Sequence, residues 1–304
     1  MIEDVPERPR GPRMLASLQH LQPAAAMVLG VAGTLVALAL VVHELWHREL
    51  TPLLLLATSG AAFWVAFAAS LLVEPLSDYA ILRRLLGTGA ETLPPLIRKQ
   101  SLNAVLFGYA GDTYFLAWLQ KRIGNARAAF GMVCDMTIVS ALVNNIAAVV
   151  MLDLMWSPIR SLAGAQINGW TMTAAAALVA VPLVLIGVRY KKLPGAGLPT
   201  ILAFLGLRTI AANVLLALTW HCALPSVPLM SWLLLLTGRM VVSRLPIVPN
   251  KDIAFAGFVA IFLGPNEQIV PVIAGVALLT LAAHAILIMM APLFVLPHRR
   301  AALC

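Results

Sequence analysis

Two sets of residues in this chain have the types and spacing for chemistry. The first is His43-Glu44-Leu45-Trp46-His47, a full H-E-x-x-H match. On a helix its imidazoles share one face, one turn apart, and Glu44 stands where a general base on zinc-bound water would stand. A third ligand is needed, and Asp153 is the best placed, near the same outer side of the bilayer. Arg48 and Glu49 follow at once, where the corresponding protease helix stays uncharged. The second set is polar residues in or beside long apolar runs. Asp135 (with Asn144 and Asn145 two to three turns on), Arg208 (with Asn213 nearby) and Arg239 fall inside such runs; Asn103, Asp112, Asn250 and Asp252 fall at breaks between them. A charged group at the centre of a membrane helix costs about 2.5–3.5 kcal/mol, so it needs a partner or a purpose. Two readings follow. Asp135, Asn145, Arg208 and Arg239 line a polar pathway, or Asp135 pairs with Arg208 or Arg239 and holds the bundle together. Both turn these side chains inward.

The elements that must position these residues are membrane spans. The chain is 61% hydrophobic with 11% charged residues and a mean hydropathy of +0.91, which excludes a soluble domain of this length. The apolar runs predict eight spans: 23–42, 52–73, 128–151, 170–188, 198–220, 229–243, 252–264 and 268–296. Basic-rich and basic-poor gaps alternate along them. Arg83, Arg84, Arg98, Lys99, Lys121, Arg122 and Arg127 share one gap, whereas Arg48 and Arg160 stand alone in theirs. The positive-inside rule then places both termini in the cytoplasm. The expected organisation is an all-α polytopic protein with a cytoplasmic tail (1–22), one transmembrane domain (23–296) and a short cytoplasmic tail (297–304). The net charge of +8 fits cytoplasmic Arg and Lys meeting anionic headgroups, not nucleic acid. Cys134, Cys222 and Cys304 have no metal-ligand spacing, no phosphate-binding loop is present, and no cofactor is expected. Leu, Ala and Val bias, with Arg favoured over Lys, fits a bacterial inner membrane.

Two gaps are unlike ordinary loops. In the first, Glu74-Pro75 is expected to stop the second span, and Leu76, Tyr79, Ile81, Leu82, Leu85 and Leu86 to form a separate amphipathic helix on the cytoplasmic surface. Pro94-Pro95 restarts the chain. Two apolar pieces too short to span then flank Gly108-Tyr109-Ala110-Gly111-Asp112, which predicts a re-entrant hairpin of two half-helices. The second gap, Arg244 to Asp252, is a Pro-punctuated break that predicts another. Asp112 is followed twelve residues later by Gly124-Asn125, and Asp252 by Gly264-Pro265-Asn266. With four spans between the two Asp, any internal repeat is expected to be parallel rather than inverted. Arg98, Lys99, Arg239 and Arg244 sit beside the breaks, either to meet an anionic headgroup or to snorkel as topology anchors.

Asn103, the Gly108-to-Tyr114 break, Ile123-Gly124, Ala126-Arg127-Ala128-Ala129 and Asp135 together resemble the first half of the flippase-like transmembrane region of lysylphosphatidylglycerol synthases. Leu245-Pro246-Ile247-Val248-Pro249-Asn250 and Phe262-Leu263-Gly264 are similar in outline to that family's second break, although Asn250 or Asp252 stands where glycine and glutamate are usual. The resemblance implies a lipid flippase that moves a phospholipid or polyprenyl-phosphate headgroup through a polar cavity between two re-entrant hairpins. Its binding residues would be Asn103, Asp112, Asp135, Arg208, Arg239, Asn250 and Asp252. The partner is a membrane lipid, with a homo-oligomer or a membrane subunit as a further association. The alternatives are an intramembrane zinc metalloprotease built on His43, Glu44, His47 and Asp153, and a non-catalytic scaffold of a lipid or polysaccharide assembly.

Overall fold

The computed structural model describes residues 56–106, 109–163, 184, 187–188, 197–243, 251–263 and 268–290. Among them the regular structure is helical: α1 (Ala61–Leu86), α2 (Leu93–Val105), α3 (Ala110–Ile123), α4 (Ala126–Leu154), α5 (Trp156–Ala163), α6 (Gly197–Ala223), α7 (Leu229–Val242), α8 (Lys251–Leu263) and α9 (Ile269–Met290). Helices α1, α4, α6 and α9 are long and apolar enough to cross a membrane. Their apolar surface is not used up inside the protein: Val65, Leu207, Ile210 and Met289 are largely exposed. Helices apolar on their outer faces belong in lipid, and the protein is membrane-embedded.

The long helices correspond to the second, third, fifth and eighth expected spans. The sixth and seventh are α7 and α8, of 14 and 13 residues, each short of the roughly 20 residues a span needs. The first expected span and nearly all of the fourth lie outside the described residues. Glu74-Pro75 does not stop a helix: α1 continues through Pro75 to Leu86, and the expected surface helix is its second half. An interior proline costs about 3 kcal/mol in water. In a bilayer, ending the helix there would strip several backbone groups of partners, and continuing through the proline is the smaller penalty. The helix ends instead at Gly87, whose φ of 66° suits the left-handed cap, with its N–H returning to the Arg83 carbonyl.

The described helices form two sets with one plan: a long helix, two short ones, a long one. The sets are α1–α2–α3–α4 and α6–α7–α8–α9, offset by 140 residues. At that offset Thr92 matches Trp232, Leu96 matches Leu236, Phe115 matches Phe255, Leu119 matches Val259 and Met136 matches Val276, and all ten are buried. The expected repeat is therefore present, but its sense is reversed. Helices α1 and α6 pack against each other and run antiparallel: Leu85 lies over Gly197, Ser77 bonds the Phe204 carbonyl, and Glu74 meets Arg208. The register brings Leu71 opposite Ala211, and these two are themselves equivalent positions. The pseudo-two-fold thus crosses the α1–α6 pair at right angles, and the halves are inverted. The parallel expectation counted four spans between Asp112 and Asp252, the last of them α7; at 14 residues α7 is too short to be counted, and three spans reverse the sense.

Two apolar cores follow from this inversion. One gathers Ile81, Leu82, Leu96, Phe115, Leu119, Met136 and Ile201 around the first short pair. The other gathers Phe63, Trp220, Trp232, Phe255, Val259 and Ile273 around the second. Each core uses the C-terminal half of its own long helix and the N-terminal half of the other's. The polar residues described next adjoin the first of these cores, where the Lys99 ammonium lies 5.5 Å from the centroid of the Phe115 ring.

Candidate functional site: a charged network between the inverted halves

Pro94 and Pro95 in the first turn of α2 preset its backbone, since the N–H groups they lack have no helical acceptor there. Helix α2 packs against α3. The crossing is close at Gly111: a Cβ built there would lie 1.8 Å from the Lys99 carbonyl oxygen. The Gly111 N–H donates to Asn103 Oδ1 (2.7 Å), and Asn103 Nδ2 donates to Asp112 Oδ2 (3.2 Å). Asn103 therefore secures the first turn of α3, and its amide and Asp112 fix each other's orientation. Arg98 lies over the Tyr114 ring, 5.0 Å from its centroid.

Lys99 joins this hairpin to α1. Its ammonium lies 2.8 Å from Asp78 Oδ2 and 3.4 Å from Asp112 Oδ1. Asp78 is 2% exposed and also receives Arg208 Nη1 from α6 at 3.1 Å. Glu74, one turn before Asp78 on α1, lies 3.7 Å from the same guanidinium nitrogen. Arg208 Nη2 donates to Ser140 on α4; Asn144 Nδ2 donates to Ser140, and Thr209 donates to Asn144 Oδ1 (3.0 Å). Five ionisable groups on α1, α2, α3 and α6 thus form one chain of contacts, extended by hydroxyls and amides into α4. Buried charges persist only when paired in this way, because each loses several kcal/mol of hydration.

The second half repeats one part of this. Arg239 on α7 donates through Nε to Asp252 on α8 (2.7 Å). Lys99–Asp112 and Arg239–Asp252 are equivalent pairs: each spans thirteen residues, and each ties the first short helix to the first turn of the second. A carboxylate in that turn also meets the positive end of the helix dipole. The rest has no counterpart. Val214, Leu218 and Ala68 occupy the positions equivalent to Glu74, Asp78 and Arg208. Asn144 is matched by His284, whose Nδ1 lies 3.2 Å from the Ser101 hydroxyl of α2.

Of the expected binding residues, Asn103, Asp112 and Arg208 meet in one network, and Arg239 and Asp252 form the second pair. Asp135 sits half-buried on α4, and the carboxylates described at Arg208 and Arg239 are those of α1 and α8. Asn250 lies outside the described residues, as do Arg244 and His43, Glu44 and His47. Asp153 is exposed at the end of α4. Lys99 is not a snorkelling anchor but a buried member of the network. Glu74 and Asp78 escaped the sequence reading because the chain was expected to leave the membrane at Pro75; their i, i+4 spacing on a continued α1 was the available signal.

No protein-family model matches this chain, and neither the curated proteins nor the solved structures contain a match.

Proposed function

We propose that this protein binds a membrane lipid by its headgroup and moves it across the bilayer, in a bacterial inner membrane with both termini cytoplasmic. The headgroup is of the phospholipid or polyprenyl-phosphate kind. The observation that carries this reading is the network of Glu74, Asp78, Lys99, Asp112 and Arg208, set against an apolar core in a bundle whose outer faces are lipid-compatible. A bundle needing only cohesion is served by apolar packing, and replacing buried ion networks with apolar groups is often neutral or stabilising. Ionisable groups at this depth mark pathways. The short helix pairs supply the second support. They enter the bilayer as re-entrant hairpins from opposite faces, and helix termini brought to that depth offer unpaired backbone groups to a polar headgroup. Inverted repeats with broken helices at their interface are a recurrent transporter plan.

The test is translocation of a fluorescent phospholipid in liposomes containing the purified chain. Asp112→Ala removes the carboxylate shared by Lys99 and Asn103. It is expected to lower the rate by about tenfold or more, equivalent to upwards of about 1.4 kcal/mol in barrier, while the helical content holds. Equal rates in the two proteins overturn the reading.

A further inference from the structure

We propose that Glu74 is a proton-binding carboxylate at the pseudo-two-fold, and that its loading and unloading couples movement through the interior to a proton gradient. This rests on the translocation reading for what is moved, but not for the proton site itself.

Three observations carry it. The first is charge. Among the described residues, three carboxylates of the connected network (Glu74, Asp78, Asp112) face two cations (Lys99, Arg208). One negative charge is left over at a depth where an uncompensated charge is costly. A bound proton removes it.

The second is which carboxylate is spare. Asp78 is buried, with Lys99 at 2.8 Å and Arg208 at 3.1 Å. Asp112 belongs to the hairpin pair that the second half repeats as Asp252 with Arg239. Among the described residues, Glu74 has the far contact alone, 3.7 Å to a guanidinium nitrogen already engaged by Asp78, and its side chain is 42% accessible. It is the open end of the network.

The third is position. The two-fold passes between Leu71 and Ala211; Glu74 lies three residues after the first, and Arg208 three before the second. Both stand within a turn of the point at which the inverted halves meet. A group there is equidistant from the two faces, and a rocking motion of one half against the other exposes it to each in turn.

Among the described residues, the charged and titratable groups around Glu74 are Arg208 on α6, in contact with it, Asp78 one turn on along its own helix, and, further off, Lys99 on α2 and His284 on α9. Unloaded, Glu74 competes with Asp78 for Arg208. Loaded, it releases Arg208 to Asp78 and Ser140. The proton thus changes the tie between α1 and α6, the contact on which the two halves turn.

The experiment uses the full chain in liposomes with a pH-sensitive dye inside, a fluorescent phospholipid in the membrane and an imposed pH gradient at clamped voltage. Wild-type protein is expected to dissipate the gradient and to move lipid several-fold faster with the gradient than without. Glu74→Gln is expected to lose both effects by roughly tenfold. Glu74→Asp regains part of them, and Glu91→Gln, at the exposed Arg122 pair, changes neither. Retained helicity and a monodisperse chromatographic profile show that Glu74→Gln is folded. Should that variant misfold, the protonated-carboxyl infrared band of the Glu74→Asp protein is compared with wild type, and an unshifted band overturns the assignment. Lipid movement indifferent to the gradient in wild type and Glu74→Gln alike overturns the proton site and leaves the lipid reading intact. Glu74-dependent proton flux with no lipid movement does the reverse. Neither flux overturns both.

Discussion

At the scale of single residues, the molecule is organised by who shares Arg208. Asp78 has two cations and Arg208 has two carboxylates, so removing either member strands a charge. Arg208→Ala is expected to destabilise the fold by about 3–5 kcal/mol, the cost of breaking a buried pair from one side. Asp78→Asn combined with Arg208→Gln is expected to cost less than Arg208→Ala alone, because the buried Asp78 charge goes with its guanidinium and only the more accessible Glu74 loses a contact. Thermal unfolding in detergent micelles measures both, and a double variant weaker than the single one refutes the shared-charge account. Arg208, Asp112, Arg239 and Asp252 were legible in the sequence because an ionisable group amid apolar residues announces itself. Lys99 was not, because a lysine in a basic cluster reads as a surface anchor until its hairpin is seen folding into the bundle.

At the scale of elements, the close crossing of α2 and α3 rests on an absent side chain. Gly111→Ala places a methyl group against the Lys99 carbonyl, a backbone atom with no rotamer to escape into. The helices must separate, and the Asn103 and Asp112 contacts lengthen with them. The expected cost is about 1–3 kcal/mol or more, with loss of lipid movement comparable to Asp112→Ala. Normal stability and normal transport in Gly111→Ala would show that the tight crossing is dispensable. Periodicity revealed that these stretches are helical and too short to span, since length and proline punctuation are local properties. It could not show that α1 runs on through Pro75. That depends on what a terminating helix would leave unpaired in lipid, a cost set by the surroundings of the residue and not by its type.

At the scale of the whole molecule, the 140-residue spacing was visible in the two Asp and the Gly-Asn positions that follow them, whereas the sense of the repeat was not. The sense depends on whether the 14-residue α7, which lies between the two Asp, crosses the bilayer, and its apolar content is the same either way. The inversion predicts that the bases of the two hairpins face opposite compartments. With native cysteines replaced, Ala90→Cys and Ser226→Cys, both at exposed positions, are expected to react with an impermeant maleimide from opposite sides of a sealed vesicle. Labelling from one side would contradict the inverted arrangement.

The location of the two-fold also has an electrical meaning. On the proton-site proposal, a proton travelling from either aqueous phase to Glu74 would cross about half the bilayer, and so about half of the roughly 2.3 kcal/mol per 100 mV that a full crossing exchanges with the membrane potential. Arrival and departure would then feel the voltage equally, and a resting cell would draw on its potential in two matched instalments rather than in a single stroke.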